Sequence, residues 1–351
     1  AFDRALKGAG RQAVILGATS GDTGSAALEA FRGRDAVDIF ILFPDGRVSP
    51  VQQRQMTSID AVGAHAVAVS GDFDDCQAIV KQLFNDHGFR DRVNLSAVNS
   101  INWARIIAQT VYYVSTALRL GAPDRSVAFC VPTGNFGNIY AGYVARQLGL
   151  PIEKLVIGTN RNDILTRYFE NGEMRLAGVE PSLSPSMDIQ VSSNFERLLF
   201  EMMGRDGTAV AKVMGDFRAT GSYSTDHNQM AAITGLFHAY RSSDEATLEM
   251  IRDTYGKTGH VVDPHTAAAL SAAAQFRDAM PDLDMPLVSL ACAHPAKFPD
   301  AVEQAIGVRP DLPPYMADLY EREERMTVLD NDLKIIEAHI AARSRAALAK
   351  A

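Results

Sequence analysis

A loop of glycines and hydroxyl residues, GATSGDTG at 17–24, lies between an apolar run and a helical pattern. Such a loop at a helix start offers unpaired backbone N–H groups and the positive end of the helix dipole, which together favour an anionic ligand. The loop lacks the lysine of a P-loop, and Gly17, Gly21 and Gly24 are not spaced as GxGxxG. The pattern therefore predicts a site for a smaller anion, such as a carboxylate.

A second loop of the same kind, PTGNFGN at 132–138, follows the apolar run SVAFCV. Gly134 and Gly137 would let the backbone approach a ligand, while Thr133, Asn135 and Asn138 add side-chain donors ahead of a helix. Taken alone, this loop is equally compatible with a tight turn capped by asparagine. Two such loops in one chain favour a ligand cleft, and this one is the better cradle for a phosphate.

A third polar cluster, NSINWARI at 99–106, opens a long helical pattern. Asn99 and Ser100 stand where helix caps stand, and the guanidinium of Arg105 has a shape that suits phosphate. The cluster is interpreted either as a second anion site or as simple capping beside a surface arginine.

The elements that must position these residues alternate between strands and helices. Short β-rich runs separated by helical patterns predict an α/β chain with mainly parallel sheets. The predicted strands are AVILG (13–17), DIFILF (38–43), HAVAVS (65–70), VNLSAV (93–98), SVAFCV (126–131), KLVIGT (154–159) and PLVSLAC (286–292). The charged run at 320–326 is interpreted as a solvated helix face, and the alanine-rich tail as a terminal helix.

Composition excludes several classes of partner. The 351 residues carry a formal net charge of −8 and no basic stripe, which argues against nucleic-acid binding. No apolar run is long enough for a membrane helix. The three cysteines are odd in number and widely spaced, so they suggest neither disulfides nor a metal site and favour the cytoplasm.

Seven ordered motifs resemble threonine synthase, in the longer form found in bacteria and fungi. They are GATSGDTG, NSINWARIIAQTVYY, PTGNFGNIYAG, TNRNDIL, PSMDIQVSSNFERLLFE, DPHTAAA and AHPAKFPDAVE. The resemblance implies a pyridoxal-phosphate enzyme of fold type II, with two parallel-sheet domains as in tryptophan synthase β. It also implies conversion of the small-molecule substrate O-phospho-L-homoserine, with water, to L-threonine and phosphate, but does not decide between a monomer and a dimer.

The same resemblance implies roles for individual residues. The loop that receives the substrate carboxylate would comprise Thr19, Ser20, Gly21, Asp22 and Thr23. The cofactor would contact Thr133, Gly134, Asn135, Phe136, Gly137, Asn138, Asp22 and Cys292. Asp22 falls where many relatives outside this subgroup have an asparagine next to the cofactor's 3′-oxygen, and a carboxylate there needs a proton or a nearby cation. Asn99, Ser100 and Arg105, with Thr23, match the substrate-phosphate site.

The resemblance further places the imine-forming lysine upstream of Ala1, so no catalytic residue is assigned within the chain. Lys7 and Lys297 are poor substitutes, and His265 and His294 are interpreted either as proton-transfer groups or as hydrogen-bonded structural residues. Two alternatives remain open. One is a threonine or serine dehydratase, which would not need a second phosphate site, and the other is a catalytically silent ligand-binding relative.

The domain prediction divides the chain near residue 100. A small domain would span 17–100, and a large cofactor-binding domain would combine 1–16 with 101–351. A mostly helical insertion is expected around 160–260.

Overall fold

The computed structural model describes residues 2–19, 21–98 and 101–348. The strands in these ranges are β1 Ala13–Ala18, β2 Val37–Pro44, β3 Ala64–Ser70, β4 Leu95–Ala97, β5 Val127–Pro132, β6 Ile152–Thr159, β7 Glu173–Arg175, β8 Ser222–Ser224, β9 Phe237–Arg241, β10 Leu287–Ser289 and β11 Met326–Asp330. The seven predicted strands correspond to β1–β6 and β10, with shifts of a few residues at their ends.

The helices alternate with these strands along the chain, as the α/β prediction requires. They are α1 Phe2–Gly8, α2 Asp22–Ala30, α3 Pro50–Thr57, α4 Phe73–Asn85, α5 His87–Val93, α6 Trp103–Arg119, α7 Gly137–Gln147, α8 Ile164–Asn171, α9 Phe195–Met202, α10 Gly207–Thr220, α11 His227–Thr234, α12 Asp244–Thr258, α13 Pro264–Ala279, α14 Pro299–Ile306, α15 Leu333–Arg343 and α16 Arg345–Leu348. Within the described ranges, no helix combines the length and the apolar character that crossing a bilayer requires.

Contacts divide the chain into two units, and the first combines Ala1–Asn99 with Asp311–Ala351. Its parallel sheet has the order β11-β3-β2-β1-β4. Successive side chains of a strand point to opposite faces, and β2, which is apolar except for Asp38, is buried on both. One face packs against α4, α5, α15 and α16, and the other against α1, α2 and α3.

The second unit, Ser100–Pro310, contains a parallel sheet of order β10-β5-β6-β9. The larger core, on one face, includes residues of α6 to α11. On the other face, alanines of α13 let that helix approach β5 and β6 closely, with Phe276 filling the remaining space. The carboxyl ends of these strands share one edge, where the loops that follow them can build a ligand site.

The division near residue 100 resembles the predicted one, but both ends of the chain differ from the prediction. Residues 1–16 and 311–351 were assigned to the larger domain. Instead, Leu6 of α1 packs into the core of the first sheet, β1 is a central strand there, and β11 extends that sheet beyond β3. The region 160–260 contains α8–α12, yet it also supplies the β7–β8 hairpin and strand β9.

The prediction of a helix face at 320–326 is wrong. This stretch forms a turn that leads into β11, and its charges serve contacts with α3. Glu324 accepts from Arg54 Nε at 3.0 Å, and the Arg325 backbone N–H donates to the Thr57 carbonyl. The terminal helix is present as α15 and α16, which are separated at the buried Ser344.

Candidate active site

The loop between β5 and α7, residues 133–136, ends in an unusual helix start. Phe136 precedes α7 with φ 61° and ψ 0°, a left-handed conformation that is uncommon for a residue with a side chain. Burial of its ring against Phe195, with ring centroids 5.0 Å apart, holds it there. Among the described residues, no side chain caps the first amides of α7. These amides and the helix dipole fit a phosphate group such as that of pyridoxal phosphate.

A second segment, residues 185–194, holds this loop from one side and is called the clamp segment here. Ser192 Oγ donates to the Gly134 carbonyl at 2.7 Å, and Asn194 Nδ2 donates to the Asn135 carbonyl at 2.9 Å. A Cβ at Gly134 would lie 3.0 Å from the Ser186 carbonyl oxygen, closer than ordinary packing allows. A glycine at position 134 therefore lets the clamp segment lie this close to the loop.

The side-chain groups predicted to bind the cofactor mostly stabilise the loop itself. Thr133 Oγ1 donates to the Val131 carbonyl at 2.7 Å. The buried Tyr113 hydroxyl donates to the Asn138 carbonyl at 2.8 Å and lies 3.0 Å from its Oδ1. The Thr133 hydroxyl proton and the Asn138 oxygens are thus engaged within the loop and its surroundings, and the backbone amides at the start of α7 are donors that an anion could use.

Behind the clamp segment lies a buried network centred on Asp263. Its Oδ1 accepts from both the backbone N–H and Nδ1 of His265 at 2.9 Å, and its Oδ2 accepts from the Thr266 hydroxyl. Burial raises the pKa of Asp263, but the hydrogen bonds from His265 and Thr266 outweigh it and lower the pKa overall. His265 Nε2 accepts from the Ser186 backbone N–H at 3.2 Å, so Nδ1 carries the proton.

This geometry gives His265 a structural role, because both ring nitrogens are engaged in holding the clamp segment. His294 is also used locally, since its Nδ1 accepts from the Ala296 backbone N–H at 3.2 Å. The exposed Cys292 follows β10, and its backbone N–H donates to Thr266 Oγ1 at 3.0 Å. Because β10 and β5 are parallel, Cys292 and the β5–α7 loop lie at the same edge of the sheet.

The start of α6 differs from the predicted capping arrangement. Asn99 and Ser100 lie outside the described residues, and the cap is Asn102, whose Oδ1 accepts from the Ala104 backbone N–H at 3.0 Å. Arg105 stands in the first turn with its side chain exposed. The backbone N–H groups of Arg105 and Ile106 donate to the Asn102 carbonyl, so this helix start is capped within the chain.

Arg197, which sequence reasoning did not select, joins the starts of α6 and α7. Its guanidinium donates to the Ile101 carbonyl at 2.6 Å and to Asn194 Oδ1 at 3.1 Å, and lies 5.3 Å from the Trp103 ring centroid. A Cβ at Gly137 would meet both Asn194 and Ile106 of α6, at 3.3 and 3.4 Å. The starts of α6 and α7 are therefore neighbours.

The first unit carries the remaining predicted site, the loop between β1 and α2. The buried Thr19 Oγ1 accepts from the Gly21 and Gly24 backbone N–H groups, both at 2.9 Å, so this hydroxyl shapes the loop. Asp22 is the first residue of α2, Thr23 is half-buried in its first turn, and Ser20 lies outside the described residues. Gln52, also missed from the sequence, donates from Nε2 to Asp22 Oδ1 at 3.1 Å.

Comparison with known families identifies the chain. A model described as pyridoxal-phosphate dependent enzyme matches residues 1–285, and one described as threonine synthase, C-terminal, matches residues 266–340. The chain is 53% identical over 340 residues to threonine synthase of Pseudomonas aeruginosa, covering 97% of this chain and 72% of that protein. The chain belongs to the threonine synthase family. The family prediction made from the seven motifs is thus confirmed, together with the α/β fold of type II.

Solved structures agree with this assignment. Pyridoxal-phosphate-bound threonine synthase from Brucella melitensis superposes with a TM-score of 0.94 at 54% identity, over 98% of this chain and 73% of that one. The yeast threonine synthase structure gives a TM-score of 0.91 at 37% identity, over 100% of this chain and 74% of that one. Membership of this family makes the protein a pyridoxal-phosphate-dependent enzyme.

Proposed function

We propose that the protein converts O-phospho-L-homoserine and water into L-threonine and phosphate, within threonine biosynthesis. The observation that carries this proposal is the adjacency of two helix starts in the second unit, at α6 and α7. One offers first-turn amides without a side-chain cap, and the other carries Arg105. An enzyme whose cofactor and substrate each bear a phosphate needs two such sites close together.

Each part of the site has a distinct task. The amides at the start of α7 would hold the cofactor phosphate. Arg105, with Asn99, Ser100 and Thr23, would hold the substrate phosphate and stabilise the negative charge that grows as phosphate leaves. The β1–α2 loop would hold the substrate carboxylate. When bound, pyridoxal phosphate supplies a ring that accepts electrons from the deprotonated substrate carbon.

The test uses the natural full-length protein with phosphohomoserine, measuring threonine and inorganic phosphate. Arg105→Leu should lower kcat/KM for phosphohomoserine by roughly 10- to 100-fold, since a charge-assisted contact to phosphate is lost, while cofactor affinity stays unchanged. Arg119→Leu removes an equally exposed arginine from the last turn of α6 and is the matched control. If both variants had the same kcat/KM for phosphohomoserine, Arg105 would be a surface residue that does not bind the substrate.

The same assay discriminates the dehydratase alternative. A dehydratase would release a 2-oxo acid from threonine or serine and would not respond to Arg105→Leu. A silent relative would bind pyridoxal phosphate without turnover. The high similarity to threonine synthase along 97% of the chain favours neither the dehydratase nor the silent relative.

The lysine that bonds covalently to the cofactor is a separate proposal. We infer that it is none of the lysines in this chain that the structure describes. Lys7, Lys154, Lys212 and Lys257 make ion pairs or hydrogen bonds at the surface, and Lys81 and Lys334 are exposed on helices. Lys297 is half-buried with a polar partner of its own.

Borohydride reduction of the full-length protein, followed by peptide mass spectrometry, tests this inference. We expect no stoichiometric label on a lysine of residues 1–351. Stoichiometric labelling of Lys297 or Lys7 would overturn it.

We propose a cytoplasmic location on the evidence of the cysteines. Cys76 and Cys130 are buried thiols, and none of the three cysteines in the described ranges forms a disulfide. Burial raises the pKa of the Cys76 thiol to about 12, which keeps it protonated and unreactive.

A further inference from the structure

The start of α3 carries a capping box formed by Ser49 and Gln52. Ser49 Oγ accepts from the Gln52 backbone N–H at 3.3 Å, and Gln52 Oε1 accepts from the Ser49 backbone N–H, also at 3.3 Å. The Ser49 hydroxyl also donates to Gln52 Oε1 at 2.9 Å. Two donors therefore fix the oxygen end of the Gln52 amide.

The nitrogen end of the same amide reaches the β1–α2 loop. Gln52 Nε2 donates to Asp22 Oδ1 at 3.1 Å. A flipped amide would place its oxygen against the Asp22 carboxylate and its NH₂ against the Ser49 donors, so only one orientation satisfies every partner. Gln52 is 6% exposed and lies so close to Gly21 that a Cβ there would stand 2.4 Å from its Cδ.

We infer that Gln52 is a positioning residue that holds the Asp22 carboxylate in the orientation the reaction requires. This inference rests on the proposed function, in which Asp22 stands beside the cofactor. Glutamate completes a capping box as well as glutamine does. An ionised glutamate, however, has no donor to offer Asp22, whereas glutamine keeps one at every pH while its oxygen stays with Ser49.

Three charged groups on the elements packed against α3 have ion-pair partners of their own. Glu29 of α2 is bonded to Arg32. From the segment before β11, Glu324 is bonded to Arg54 of α3, and Arg322 to Asp318. An acid placed at position 52 would therefore interact chiefly with Asp22.

The decisive variant is Gln52→Glu, because its behaviour depends on pH. When protonated, the new carboxyl group donates to Asp22 as the amide does. When ionised, it places a second negative charge about 3 Å from Asp22, which costs stability in a buried setting. We expect kcat/KM for phosphohomoserine within threefold of the wild type near pH 6 and at least tenfold lower near pH 8.5.

A second measurement reports on the contact without using turnover. The melting temperature of the cofactor-free variant should fall relative to that of the wild type as pH rises. Adding Asp22→Asn to Gln52→Glu removes the repulsion, because an amide then faces the new carboxylate, and should abolish this pH dependence.

Gln53→Glu is the matched control on the next residue of α3. It adds the same charge beside a different acid, since Gln53 Nε2 donates to Glu324 Oε2 at 3.1 Å. Arg54 compensates there, so we expect neither kcat/KM nor melting temperature to acquire a new pH dependence.

The outcomes separate the inference from the proposed function. A pH-dependent loss in both measurements supports the inference. A pH-dependent melting temperature with a pH-independent ratio of kcat/KM values shows the contact but overturns the catalytic role. No pH dependence in either overturns the inference altogether. A wild-type protein that does not turn over phosphohomoserine would instead refute the proposed function.

Discussion

At the scale of single residues, Gly134 illustrates how the second unit builds a site from backbone. Because glycine has no side chain, the loop can lie close to Ser186. A Cβ at position 134 would stand 3.0 Å from the Ser186 carbonyl oxygen. The oxygen belongs to the clamp segment, which the bond from the Ser186 N–H to His265 helps to hold in place. A side chain at position 134 would therefore crowd this contact and shift the loop that precedes α7.

Gly134→Ala should accordingly weaken pyridoxal phosphate binding by roughly tenfold or more, a change of about 1.4 kcal/mol. Binding weakens because the added methyl group displaces the loop that positions the α7 amides. We also expect a modest fall in the free energy of unfolding. Spectroscopic titration of the cofactor-free protein measures the Kd. Gly215→Ala, in an open position of helix α10, is the control and should leave the Kd unchanged. An unaltered Kd for Gly134→Ala would contradict the assignment of this loop.

Residues in the two glycine-rich loops could be selected from sequence because their signal is local. A loop of small and polar residues before a helix has the same meaning wherever it occurs. Gln52 and Arg197 could not be selected in this way. Their contacts lie 30 and 96 residues away along the chain, at Asp22 and Ile101. Only folding brings these partners together, so no local sequence pattern predicts these contacts.

At the scale of elements, helix α15 packs over the first sheet with a histidine in its buried face. His339 is 8% exposed, its ring meets Phe40 edge-on, and its Nε2 has no hydrogen-bond partner among the described residues. Burial, aided by nearby Arg343 and His65, lowers the pKa of His339 to about 4. His65, stacked on the same Phe40 ring, also has a pKa lowered by burial.

The sign of the resulting pH dependence follows from proton uptake. The unfolded chain binds a proton at His339 near pH 6.5, whereas the folded chain binds it only near pH 4. The free energy of unfolding should fall as pH drops through this window, by about 1–3 kcal/mol. His339→Leu should remove that part of the loss, measured by urea unfolding at pH 7.5 and 5.0. The exposed His87→Leu is the control, and a pH response in His339→Leu equal to that of the wild type would contradict the argument.

Strands and helices differed in how clearly the sequence pattern predicted them. Buried strands such as β2 and β5 are easy to recognise in the sequence because nearly all of their residues are apolar. Strand β11 is not among the predicted strands, because its exposed and half-buried residues alternate and a charged run precedes it. Strand β9 likewise mixes charged and apolar residues. Such edge strands depend on a neighbouring strand for their conformation, and sequence patterns report burial rather than pairing.

At the scale of the whole molecule, the end of the chain is tied to the first unit by a buried ion pair. Asp38 of β2 is 2% exposed and accepts from Arg345 Nε and from the Arg345 backbone N–H, both at 2.7 Å. The same guanidinium donates to the Val37 carbonyl at 2.8 Å. One arginine thus anchors α16 against the amino end of a central strand.

Arg345→Met should destabilise the first unit by about 3 kcal/mol, because it leaves the Asp38 carboxylate buried without its cation. Arg343→Met, two residues earlier and exposed, should change the free energy of unfolding only slightly. Urea unfolding followed by circular dichroism distinguishes the two. A similar small effect from both variants would show that Asp38 finds another partner or water.

The sheet of the first unit is completed by β11, which lies beyond the entire second unit in the sequence. A chain emerging from the ribosome therefore presents β1 to β4 long before β11, α15 and Arg345 exist. Until then the edge of β3 lacks its partner strand, and unpaired strand edges invite association with other chains. Residues 100–310 form a continuous stretch and can complete their core as soon as they have emerged. The sheet that contains β1 to β4 is consequently completed only after the whole of residues 100–310 has been synthesised.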